Sequence, residues 1–166
     1  MGRVYGRVGG KVDGYSLDAS QEGYQVTGRL GGRHIGEDIY LEISPTRDHI
    51  SGRIGGEVIG KDLNLVLEKS RAYGRIGGEK IGDDLDLQGE NHIVGRVGGS
   101  IIGFNCDLNV NAEKTKIEGR LGGRFFGADV DFNIEGDFSP IIAAVLAVTA
   151  YKIYIDRAAA GASGGG

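Results

Sequence analysis

From Met1 to Phe138 apolar and polar side chains alternate with a period of two, and glycine punctuates the alternation at regular places. That period sends successive side chains to opposite faces of an extended strand. Between Ile50 and Glu68, for example, Ile50, Gly52, Ile54 and Gly56 share one face, while Ser51, Arg53 and Gly55 take the other. Past a short gap, Ile59, Leu63, Leu65 and Leu67 share a face opposed by Gly60, Asp62, Asn64 and Glu68. The same inward row recurs as Ile102, Phe104, Cys106, Leu108 and Val110, and again as Phe126, Ala128, Val130, Phe132 and Ile134. Even numbers before the gap and odd numbers after it fit a tight antiparallel hairpin. A type II′ turn at Gly56-Glu57 and a turn centred on Glu57-Val58, which sets Arg53 opposite Asp62, preserve the same faces, so the pattern admits both.

After Phe138 the pattern changes. Ser139 suits an N-cap, Pro140 suits the first helical turn, and the residues from Ile141 to Tyr151 are apolar on every side. A helix of that kind is surrounded by protein or lipid rather than lying on a core. The pattern predicts one helix over 139–156.

The hairpins repeat. Gly-Arg-aliphatic-Gly-Gly begins at Gly6, Gly28, Gly52, Gly74, Gly95 and Gly119, at intervals of 22, 24, 22, 21 and 24 residues. Regular spacing of this length marks a repeat architecture. Six hairpins make twelve strands, and a twisted sheet of that size closes rather than staying open, which also removes its exposed edges. The expected fold is therefore mainly β, a twelve-stranded antiparallel up-and-down barrel filled by the carboxy-terminal helix. The inward glycines, such as Gly52 and Gly56, are expected to leave room for it. The lengths agree: about seventeen helical residues span about 25 Å, and a strand of eight or nine residues spans about 28 Å. A single domain covers 1–157, and 158–166 reads as a flexible tail.

Composition narrows the function classes. With 32 glycines but no period of three, the 166-residue chain is not collagen-like. A net charge of −4 argues against nucleic acid as a partner. The single cysteine, Cys106, excludes an internal disulfide framework, and together with an amino terminus lacking an apolar segment it predicts a cytoplasmic protein. Cys106 itself is expected to be a quiet core residue.

Twelve antiparallel strands closed around a hydrophobic carboxy-terminal helix resemble the tubby-like superfamily, which includes tubby, LURP-one-related proteins and phospholipid scramblases. The ending Gly136-Asp137-Phe138-Ser139-Pro140-Ile141 through Ile155-Asp156 looks like the close of LURP-one-related proteins. The resemblance implies the barrel fold, and for function it implies lipid-headgroup (phosphoinositide) or protein binding at a membrane surface. None of the family's ligand-binding residues is matched in this chain.

The outward arginines Arg7, Arg29, Arg53, Arg75, Arg96 and Arg120 form a column, faced by a second column of Asp38, Asp62, Asp84, Asn105 and Asp129, with Ser16 at that place in the first copy. Two readings apply: a belt of cross-strand ion pairs, or a surface for anions or lipid headgroups. Asp84, Asp86, Asp129 and Asp131 faintly match calcium-binding nonapeptide repeats, but the period here is far longer. His49 and His92 make a poor metal site without a third ligand, and His34 is expected in a solvated turn. Lys152 is expected to reach out of the barrel mouth. No nucleophile elbow, phosphate loop or zinc spacing is present, and the sequence implies no cofactor. The expected function is a non-enzymatic binding or scaffold domain. The alternatives are a filament-forming β-solenoid and a tail-anchored membrane protein, the latter weakened by an apolar run shorter than the roughly twenty residues a span needs.

Overall fold

The computed structural model describes residues 1–9, 14–31, 36–56, 60–77, 82–99, 103–123 and 127–164, with side chains through Ala158. The strands are β1 (Gly2–Gly9), β2 (Gly14–Glu22), β3 (Gln25–Gly31), β4 (Gly36–Ile43), β5 (His49–Gly55) and β6 (Gly60–Glu68), then β7 (Arg71–Gly77), β8 (Gly82–Gln88), β9 (His92–Gly98), β10 (Gly103–Val110), β11 (Lys116–Gly122) and β12 (Gly127–Gly136). Each pairs antiparallel with its sequence neighbours, and β12 pairs with β1 to close a barrel of twelve strands. Closure leaves no open coil end, so the β-solenoid alternative is corrected to a barrel.

Arg53 lies opposite Asp62 and Gly55 opposite Gly60, the pairing of a turn centred on Glu57-Val58, although those two residues fall outside the described ones. The alternation survives as burial: Leu63, Leu65 and Leu67 are buried, and Asp62, Asn64 and Glu68 are exposed.

The helix α1 (Pro140–Gly164) runs through the lumen. Ser139 caps it, accepting weakly from the Ile142 amide at 3.5 Å through its Oγ. Ala143, Ala144, Val145, Leu146, Ala147 and Val148 have no exposed surface at all. The dimensions explain the small side chains. Twelve strands about 4.8 Å apart and tilted about 40° enclose a radius of roughly 12 Å. A helix with its side chains takes about 5–6 Å of that, which leaves space for one layer of inward strand side chains. α1 also extends past the expected end at Asp156, continuing to Gly164 where the sequence suggests a loose tail. Ala158, Ala159 and Ala160 are strong helix formers, and extending an existing helix needs no new nucleus.

The glycines act differently from expectation. At Gly52 the backbone has φ +147°, and a Cβ there would overlap the Tyr40 carbonyl oxygen on the adjoining strand β4. Its lack of a side chain lets neighbouring strands approach, rather than reserving space for the helix. Gly56, the second of that pair, lies just beyond the end of β5.

Candidate functional site

The arginine column is the first place to look for chemistry. Arg29, Arg53, Arg75 and Arg120 each donate through Nη1 to the aspartate opposite, Asp38, Asp62, Asp84 and Asp129, at 2.6–2.9 Å. Arg7 donates to the Ser16 hydroxyl and Arg96 to the Asn105 side-chain oxygen, both at 2.8 Å. The guanidinium also serves the hairpin end: Arg53 reaches the Gly56 carbonyl at 2.7 and 3.1 Å, and Arg96 the Gly99 carbonyl at 2.9 Å. Arginine suits this position because one planar group can satisfy a carboxylate and a turn carbonyl together.

A second belt lies one step along the strands. There Arg3 holds Asp18, Arg71 holds Asp86, Lys116 holds Asp131 and His92 holds Asp107 at 2.6–2.8 Å. Asp84, Asp86, Asp129 and Asp131 therefore each face a cation. Among the described residues no group of three or more His, Cys, Asp or Glu could hold a metal ion. His49 sits half-buried opposite Val66, and His34 lies outside the described residues. Cys106 is buried, and burial pushes its thiol up to about 12.

The distinctive site is one that sequence reasoning missed. Directly after the glycine that opens each even strand comes an inward residue: Tyr15, Glu37, Lys61, Asp83, Phe104 and Ala128. Together they ring the barrel mouth at the level of Tyr151 to Arg157 on α1. Phe104 meets Tyr151 edge to face with centroids 4.8 Å apart. Asp83 pairs with Lys152 at 3.2 Å, and Lys61 with Asp156 at 2.6 Å. Glu37 pairs with Arg157 and also accepts from the Gly56 amide at 2.8 Å. Tyr15 accepts from Arg157 at 3.1 Å and stacks edge to face on Tyr154 at 5.8 Å.

The two partners share one angular order. At about 100° per residue, Tyr151, Lys152, Asp156, Arg157 and Tyr154 follow one another around the helix. Their wall partners follow in the matching sequence β10, β8, β6, β4, β2. The ring thus ties the rotation of α1 to the order of the strands around it. Lys152 is not splayed into solvent as expected; its side chain is 19% exposed and shared between Asp83 and Asp156. Burial pulls the Lys152 ammonium down, but its two carboxylate partners outweigh this and hold it above the usual lysine range. For Asp156 burial pushes up, while Lys61 and Lys152 more than offset it and hold the carboxyl below its ordinary range. Arg157 Nε is buried without a hydrogen-bond partner among the described residues. The sequence signal was a charged residue at an inward parity position, visible at Glu37, Lys61 and Asp83. Against this geometry, comparison with protein-family models, curated proteins and solved structures finds no match.

Proposed function

We propose that the chain is a non-enzymatic scaffold domain that meets a protein partner on the outside of the barrel. The observation that supports this reading is the occupied lumen. Barrels that carry small molecules hold them in the interior or the mouth, and here α1 fills the interior while paired side chains fill the mouth. Twelve strands around a carboxy-terminal helix are also the architecture that the tubby-like resemblance implies.

A headgroup-binding belt is the weaker reading on charge. Counting the strand neighbours on both sides and the second belt, the six arginines with Arg3, Arg71 and Lys116 stand among eight carboxylates: Asp18, Asp38, Asp62, Asp84, Asp86, Asp107, Asp129 and Asp131. At such spacing the fields cancel. Among the described residues no helix is long and apolar enough to cross a membrane, and the strands turn charge outward where a lipid-facing barrel turns apolar side chains.

Titration with a fluorescent fatty acid tests the lumen argument: no saturable binding is expected, and one-to-one uptake would overturn it. Sedimentation with anionic vesicles at physiological salt should leave the protein in the supernatant. Recovery in the pellet would favour the headgroup reading instead.

A further inference from the structure

We propose that the charged ring at the mouth is an acid-sensitive latch, which holds the last turns of α1 against the wall and releases them while the barrel stays closed. The ring contains three carboxylates, Glu37, Asp83 and Asp156, and three cations, Lys61, Lys152 and Arg157. Its net charge is zero as long as all six are ionised. Along the helix the means of attachment changes. From Ile141 to Val148 α1 is held by apolar packing, which does not respond to protons. From Lys152 to Arg157 apolar packing thins to Ile153, with Tyr154 and Ile155 part-buried, and three side chains are tied to β4, β6 and β8 by ion pairs.

Protonating the carboxylates would turn a neutral ring into one of charge +3. Lys61, Lys152 and Arg157 would then share the mouth with side-chain exposures of 23, 19 and 15%. Cations that are partly desolvated and have lost their partners repel one another and favour return to water. The amino-terminal end of the helix is joined to β12 through 137–139, so the ring holds the end farther from that covalent tie.

The groups facing each carboxylate set the pH window. Asp156 faces Lys61 from β6 and Lys152 from its own helix; Asp83 faces Lys152. Glu37 faces Arg157, which also meets the Tyr15 hydroxyl. Tyr151 and Tyr154 bring phenol rings to the same level. Because Asp156 is held below its ordinary range, its contribution is fully present above the unfolded value of about 4 and is lost as the pH falls through the lower folded value. Opening therefore belongs below about pH 4.

Amide hydrogen exchange on the whole chain at pH 7 and pH 2.5, corrected for intrinsic rates, tests the latch. Acid should accelerate Lys152–Arg157 at least about tenfold relative to Val145–Val148 and to the strands, as expected of local opening. At pH 7, Asp156→Asn leaves Lys61 and Lys152 facing an amide and should produce the same local acceleration. Should that variant fail to fold, Asp83→Asn carries the test, because Asp83 touches the helix through Lys152. Equal loss of protection in helix and strands, or retained protection at pH 2.5 or in the folded amide variant, would overturn the proposal.

Discussion

Removing residues 139–166 tests the central claim of the fold, that α1 is the core of the barrel. The truncated chain loses six fully packed aliphatic side chains, Ile141, Ile142, Val145, Leu146, Val148 and Ile153. At about 1.5–3 kcal/mol each they contribute roughly 9–18 kcal/mol, and allowing for a compact unfolded chain this falls to no less than about 5–11 kcal/mol. The whole stability of a domain is only about 5–15 kcal/mol. The wall loses as well, since Leu41, Ile50, Leu65, Leu87 and Ile93, fully buried now, would line an open channel. The arginine belts do not make up the difference, because exposed ion pairs contribute about 0–1 kcal/mol each. Far-ultraviolet circular dichroism with urea titration is the assay. The expected result is loss of the cooperative transition, or aggregation. A truncated protein that keeps the β signal and unfolds cooperatively with an unchanged midpoint would refute the reasoning.

Three further expectations follow from single sites. Gly52→Ala should destabilise by more than about 1 kcal/mol in chemical denaturation, because φ is +147° and the new Cβ meets the Tyr40 carbonyl; a neutral effect would mean that the strands can separate there. A double-mutant cycle on Arg75 and Asp84, whose side chains are 41% and 82% exposed, should give a coupling below about 1 kcal/mol that shrinks in high salt; a larger coupling would show that the belt is a cooperative network. Cys106, whose thiol burial pushes to about 12, should react with a neutral-pH thiol reagent only as fast as the protein opens, as stopped-flow absorbance would show. Rapid labelling of the folded protein would contradict its place in the core.

Much of the architecture was legible residue by residue. Period two across Ile50–Glu68 gave the strands, the recurrence of Gly-Arg-aliphatic-Gly-Gly gave their number, and the all-round apolar run after Pro140 gave an enclosed helix. The arginine–aspartate columns were also visible, because strand neighbours in a hairpin are a local matter. The mouth ring was not found. Its partners, such as Tyr15 and Arg157, are 142 residues apart, and no local periodicity relates a position on a strand to a position on a helix wheel.

The sequence by itself therefore determined what depends on neighbours along the chain: which residues extend, which face is apolar, and that one segment must be surrounded. The tertiary structure decided the rest. Only closure of β1 on β12 turned six hairpins into a lumen, and only that lumen gave α1 a wall to match. Pairing of β5 on β4 explained the inward glycine at Gly52 by strand approach, and closure brought Glu37, Lys61 and Asp83 to one height around Lys152, Asp156 and Arg157. Isolated charges at inward positions would be costly errors in any single hairpin. Around a shared helix they neutralise one another, and that compensation exists only once the barrel is closed.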